Sequence, residues 1–181
     1  TWPESELVCT AHAHGVRVLV TVLPELKGPG SDPKYYQHLM GNASAVQRMS
    51  DELAAIVFAA GWDGVEFDFE VMTREIVSGN TFDFGKAHVS MMNSVRQSLK
   101  KLNPHSTTAL TLYGGNGGNP LYPQAYPAAA LSQVVDQIFV MAYDMWHHHT
   151  VCAGPNSPLP GVMESIDAFV RSGVQSQKLI L

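Results

Sequence analysis

The chain has 181 residues, enough for one domain with its own core and too few for two ordinary ones. Its 11 Lys and Arg against 16 Asp and Glu leave a formal net charge of −5, without the basic footprint of a nucleic-acid-binding protein. An apolar content of 45% excludes disorder, and the longest uncharged apolar run, Leu53 to Trp62, is about half of the ~20 residues a membrane helix needs. Charged residues are 15% against a typical ~25%, which points to surface that is meant to be covered.

In chain order, an Ala- and Glu-bearing segment from Glu4 to His14 stops at Gly15 and predicts a helix, and the β-branched run Val16 to Leu23 predicts a strand. Residues 24–42, rich in Pro, Gly and Asp, read as a loop. A helix from Ala43 to Ala60 follows, with apolar residues at Val46, Met49, Leu53, Ile56 and Val57, closed by Gly61. The alternation then repeats: strand Gly64 to Glu70, helix Gly85 to Leu102, strand Thr107 to Tyr113, and a short helix Ala128 to Val135. Strand Gln137 to Tyr143, helix Gly161 to Ser172 and strand Gln177 to Leu181 complete it. Five strands separated by helices imply a parallel sheet, either an open one or part of a closed (β/α)₈ barrel, with function on the loops after the strands. The chain opens without Met and stops inside Lys178-Leu179-Ile180-Leu181, as a fragment does, so a leader peptide is not testable here.

The stretch Asp63-Gly64-Val65-Glu66-Phe67-Asp68-Phe69-Glu70 carries the chemistry. Strand side chains alternate, so Glu66, Asp68 and Glu70 share one face while Val65, Phe67 and Phe69 share the other. A rise of roughly 3.3 Å per residue sets neighbouring carboxylates about 6.6 Å apart at Cα, close enough to couple their protons. Three readings fit: a solvated edge-strand face, a hard-cation site for Mg²⁺ or Ca²⁺, or a general acid kept protonated by a like-charged neighbour. Helices on both flanks argue against the first, because a strand in a parallel sheet is normally buried on both faces.

These residues resemble the DxxDxDxE signature of glycoside hydrolase family 18, the chitinases and chitobiases, on the fourth barrel strand. Phe139-Val140-Met141-Ala142-Tyr143-Asp144 resembles the family's Met-x-Tyr-Asp motif on strand six, about 73 residues further on, and Lys178 to Leu181 resembles the start of strand seven. The absence of a Gly-rich strand-three motif, with the segment Cys152 to Pro158, is most similar to the lysosomal di-N-acetylchitobiase branch. The resemblance implies a (β/α)₈ TIM barrel truncated to about strands three to seven, with residues 1–181 forming a partial catalytic domain incomplete at both ends. It implies hydrolysis of β-1,4 bonds in N-acetylglucosamine oligosaccharides with retention. There Glu70 is the general acid and base, Asp68 orients the substrate's 2-acetamido group, which is the nucleophile, and Tyr143 bonds its carbonyl. Asp144, Met141, Glu66 and Trp146 would contact the sugar. The chain departs from the family at Glu66, where Asp or Asn is usual, and the longer side chain alters how Asp68 moves between its neighbours.

Other signals read more plainly. Asp63, at the strand entrance, supports backbone. Gly114 to Gly118 follows a strand but lacks the Lys-Ser/Thr of a phosphate loop, and reads as a substrate-side loop. His147, His148 and His149 cannot all face one metal and read as polar loop; His12 and His14 read as exposed. Trp146 is either a sugar-stacking platform or a loop anchor. Cys9 and Cys152 have no metal spacing and read as unpaired thiols, with a disulfide open, and Asn42-Ala43-Ser44 is a glycosylation sequon. The combined expectation is a monomeric glycosidase without cofactor or metal. Its partner is a chito-oligosaccharide or N-glycan-derived substrate, with no nucleic acid or membrane, and its location is lysosomal or extracellular. The alternative is a chitinase-like lectin that binds the same sugars without cutting them. The 181-residue chain alone is expected to be poorly soluble or inactive, since an unclosed barrel exposes sheet edges.

Overall fold

A computed structural model of the chain describes residues 5–23, 33–69, 81–114, 126–146 and 152–181. Six helices, α1 (Ser5–Ala13), α2 (Pro33–Met40), α3 (Ala43–Ala60), α4 (Phe84–Leu102), α5 (Ala128–Val134) and α6 (Leu159–Arg171), are described along with five strands. The strands are β1 (Leu19–Val22), β2 (Gly64–Phe67), β3 (Thr107–Tyr113), β4 (Gln137–Met141) and β5 (Leu179–Ile180). The helix ends follow from local chemistry. Asn42 caps α3 by accepting the Ala45 N–H at 3.1 Å, and Gly61 ends it in the left-handed conformation at φ 75°. Asp83 caps α4 by accepting the Lys86 N–H at 2.9 Å, while Lys100 and Lys101 face the negative end of that helix.

All four strand pairings are parallel and the order is β1-β2-β3-β4-β5, with each strand beside the next in sequence. A doubly wound open sheet reverses direction at a switch point; this sheet has no reversal, which is the winding of a (β/α)₈ barrel wall. One face of the sheet packs on the helices. Val65, Phe67, Leu110, Leu112 and Ile138 meet Met91, Met92, Val95 and Leu99 of α4, Leu131 of α5 and Phe169 of α6, all at most 1% exposed. Each such side chain contributes roughly 1.5–3 kcal/mol on burial.

Two aspartates close the entrance end of the sheet in the same way. Asp63, just before β2, accepts the Val18 N–H at 2.7 Å and the ring Nε2 of His12 lies 2.8 Å from the same oxygen. Asp136, just before β4, accepts the Thr108 N–H at 3.0 Å and faces Arg96 at 3.3 Å and Lys100 at 3.4 Å. Partial burial pushes both carboxyls up, but the backbone N–H bonds and the neighbouring cations outweigh it and hold both below their usual value. The supporting role read for Asp63 is what these bonds describe, and His12, though exposed, is engaged rather than idle.

The structure corrects several boundaries. Residues 24–42, read as a loop, contain α2, because Tyr36 and Met40, one turn apart, both bury against the core. The strand read from Val16 pairs only from Leu19, since the Val18 N–H turns to the Asp63 side chain. The last strand is shorter than read because Ser176–Lys178 form a 3₁₀ turn, with Lys178 donating to the carbonyls of Ser132 and Val135 at the end of α5. No helix among the described residues is long and apolar enough to cross a membrane.

Candidate active site

The face of the sheet away from the helices is concave. Period-two alternation places Leu19 and Thr21 of β1, Glu66 of β2, Thr107 and Thr111 of β3, and Gln137, Phe139 and Met141 of β4 on it, with Tyr143 just beyond. Together with Arg17 and Leu181 they line a cavity of about 630 Å³. The apolar partners Val65, Phe67 and Phe69 lie on the helix side, where Phe69 meets Phe67 and Tyr36 edge to face at 5.1 and 5.4 Å.

Glu66 is 8% exposed. In the ladder it lies across from Thr21 on β1 and Ala109 on β3. The Thr111 hydroxyl donates to its Oε1, and Thr21 supplies a second hydroxyl. Burial pushes the Glu66 carboxyl up, the two threonines pull it back, and the charge of Asp68 pushes it up again, so the net displacement is upward. Burial also raises the Asp68 carboxyl, whose Oδ1 is buried and accepts no hydrogen bond among the described residues. Two neighbouring acids, both displaced towards holding a proton, stand at the C-terminal end of β2, Glu66 within it and Asp68 just beyond. Glu70, the last member of the row, lies outside the described residues, as do His147, His148, His149 and residues 115–118 of the Gly-rich loop. Among the described residues, no group of three or more His, Cys, Asp or Glu is placed to hold a metal ion.

The second motif is held from behind by residues 154–161. Asp144 adopts a left-handed backbone at φ 55°, uncommon for a residue other than Gly. Its N–H donates to Oδ1 of Asn156 at 2.9 Å, and the N–H of Met145 donates to the Asn156 carbonyl at 3.0 Å. The Ser157 hydroxyl donates to the Ala142 carbonyl. Gly154 presses on the Trp146 indole so closely that a Cβ there would stand 2.3 Å from the ring. Trp146, 40% exposed, is therefore anchored through one side and open on another. Met141 and Tyr143 line the cavity, while Asp144 is exposed beside them. Cys9 and Cys152 are both exposed, and neither forms a disulfide among the described residues.

Four contributors escaped the sequence reading: Thr21, Thr111, Asn156 and Tyr126. Applying the period-two rule to β1 and β3 as well as β2 finds the threonines. Nothing local marks Tyr126, whose buried hydroxyl donates to the Phe69 carbonyl across 57 residues of sequence.

Against known proteins, residues 12–181 match the family described as Glycosyl hydrolases family 18. The chain belongs to this family. Among curated relatives, "Probable di-N-acetylchitobiase 1" of Dictyostelium discoideum is 22% identical over 98% of the chain and 44% of its own length. The chain spans under half the length of the curated relatives it matches. Among solved structures, catalytic domain 2 of the Ostrinia furnacalis Group II chitinase superposes with a TM-score of 0.72 at 18% identity, over 97% of this chain and 47% of that one. The Bacillus cereus spore cortex-lytic enzyme SleL gives a TM-score of 0.75 at 16% identity, over 99% and 38%. Both likenesses concern the fold, and they agree with the barrel winding read from the sheet order.

Proposed function

We propose that the protein carrying this chain is a retaining glycosidase that hydrolyses β-1,4 bonds of N-acetylglucosamine oligosaccharides, with residues 1–181 forming part of its catalytic domain. The observation that carries this reading is Glu66, buried on the concave face with its carboxyl raised, beside the half-buried and likewise raised Asp68, in a family 18 chain whose sequence continues the row to Glu70. The substrate class is supported by the chitobiase relative and by a related Ostrinia chitinase domain crystallised with penta-N-acetylchitooctaose.

In this reading Glu70 gives its proton to the glycosidic oxygen as the bond to the anomeric carbon breaks. The carbonyl oxygen of the substrate's own acetamido group closes on that carbon from the other face, giving an oxazolinium ion and no covalent enzyme intermediate. Asp68 accepts the acetamido N–H and stabilises its developing positive charge, and Glu66, clamped by two threonines, shares the proton that Asp68 gives up. Tyr143 donates to the acetamido carbonyl, Met141 and Asp144 hold the sugar, and the open side of Trp146 packs on a neighbouring sugar face. Glu70 then takes a proton from the water that opens the oxazolinium, restoring the acid. Because burial raises both Glu66 and Asp68, activity is expected to be greatest on the acidic side of neutrality.

The test is cleavage of a fluorogenic chitobioside by the full-length protein and its Glu70→Gln variant, from about pH 3 to about pH 8. Cleavage by the parent with an acidic optimum, lost in the variant while chito-oligosaccharide binding remains, is the expected result. Binding by both proteins without cleavage by either would replace the enzyme with a lectin. A lysosomal or extracellular location fits such a substrate. Asn42 is exposed in the turn before α3, so a mobility shift on enzymatic deglycosylation, absent in Asn42→Gln, would report passage through the secretory route.

A further inference from the structure

A second cavity, of about 220 Å³, opens at the entrance end of the sheet, where α1, α3 and α4 finish. Phe58 of α3, Leu102 of α4 and Trp62 form the apolar part of its lining, and Asp63, Asn103 and Ser106 the polar part. It shares no residue with the cavity of the concave face, and Asp63 lies five residues before Asp68, about 16 Å away at ~3.3 Å per residue. Its polar groups keep unused hydrogen-bonding capacity. Ser106 is 4% exposed, and its hydroxyl pairs with no group among the described residues. Asn103 accepts the His105 N–H on Oδ1 at 3.0 Å, which leaves the two N–H groups of its amide without a partner among the described residues. Oδ2 of Asp63 takes both the Val18 N–H and the His12 ring, which leaves Oδ1.

This lining defines the ligand by elimination. A charged ligand has no call here, because His12 and the Val18 N–H already answer the one carboxylate in the wall. A purely apolar ligand would displace water and strand the hydroxyl, the amide and the second carboxylate oxygen unpaired. A purely polar one would waste Phe58 and Leu102, which offer exposed apolar surface beside them. A pyranose meets every demand: its C–H face packs on apolar and aromatic groups, while its rim of hydroxyls donates to Asp63 Oδ1 and accepts from Asn103 and Ser106. At ~30 Å³ per water the cavity has room for about seven waters, the space of one such ring. We infer that this cavity is a second sugar-binding site, taking a single pyranose unit at the end of the sheet opposite the acids. Asp63, held below its usual value by its partners, has no proton to give, so the site binds without cutting. The inference goes beyond the hydrolase reading and does not depend on it.

The experiment is amide hydrogen exchange of the full-length protein with and without about 10 mM N-acetylglucosamine, in the parent, Phe58→Ala and Asn103→Asp. Phe58 is 65% exposed, so its truncation spares the core, and Asn103→Asp keeps the acceptor for His105 while removing the amide donor. A monosaccharide held by these groups should have a Kd on the order of 1 mM, so exchange at residues 61–63 and 105–106 of the parent should slow about tenfold. In both variants that slowing should fall below about threefold, while slowing at residues 141–143 reports the concave face separately and should not change with them. Cyclohexanol, the same ring size with a single hydroxyl, should slow the parent by less than about threefold. Parent slowing under about threefold with the sugar, or slowing that persists undiminished in both variants, would overturn the site. Cyclohexanol matching the sugar would overturn the pyranose assignment.

Discussion

Replacing Thr111 with Val removes one hydroxyl and keeps the branched shape of the side chain, which isolates the bond to Glu66. Glu66 is nearly buried, so the lost donor is not replaced by bulk water and only the Thr21 hydroxyl remains. A hydrogen bond to an ionised group contributes about 1.5–3 kcal/mol and one to a neutral group about 1 kcal/mol. At pH 7 the substitution should therefore cost about 2 kcal/mol in the parent and about 1 kcal/mol in a Glu66→Gln background, a coupling of about 1 kcal/mol. The pH dependence has a definite sign. The Glu66 carboxyl is raised in the folded protein, so the stability it contributes is full below its unfolded value near ~4.3 and is lost as pH rises through the higher folded value. Glu66→Gln should gain on the parent as pH climbs from about 4, and the cost of Thr111→Val in the parent should shrink towards about 1 kcal/mol as pH falls there. Urea unfolding of the full-length protein and the three variants at several pH values measures all of this. A Thr111→Val cost that is the same in both backgrounds at pH 7 would refute the charged bond.

Asp136→Ala should cost about 2 kcal/mol at neutral pH, most of it from the Thr108 N–H, because the Arg96 and Lys100 partners are about a third exposed and their attraction is screened. The Asp136 carboxyl is lowered in the folded state, so this contribution is present above the unfolded value near ~3.9 and disappears as pH falls through the folded one; urea midpoints for parent and variant should converge in acid. Gly64→Ala would set a Cβ 1.9 Å from the Thr107 carbonyl oxygen, forcing β2 from β3, and a loss of about 3 kcal/mol or more should be visible in the unfolding midpoint or the soluble yield. Asn156→Ala frees the Asp144 N–H and lets its left-handed backbone relax; kcat/KM on a chitobioside should fall about tenfold, with most activity kept by Asn156→Asp, which retains the acceptor.

Much of the architecture was legible because strands and helices differ in period, and because the acidic and apolar residues of 65–69 alternate without exception. The carboxylate row could be placed on one face of one strand from spacing alone, and the structure sets Glu66 into the concave cavity while sending Phe67 and Phe69 to the helices. Whether the sheet was open or a barrel wall was not legible from periodicity, since that depends on strand order, a long-range property; the barrel came from the resemblance of the two strand motifs, and the strand order agrees with it. Helix α2 was obscured by the Pro and Gly around it; its two buried residues are too few to reveal a period. Asn156 and Tyr126 were hidden for a similar reason, because each acts on a backbone group brought near by the fold, which carries no sequence signature of its own.

The single-file order of the strands also has a temporal meaning. Each strand finds its partner one βα unit later in the chain, so the wall is laid down in the order of synthesis. A chain emerging no further than residue 106 already contains Glu66 and Asp68 but has only the hydroxyl of Thr21 to offer; Thr111 and the whole of β3 are still to come. Glu66 is thus made before one of the two strands that flank it, and its carboxylate gains its second hydroxyl partner only when the third unit docks.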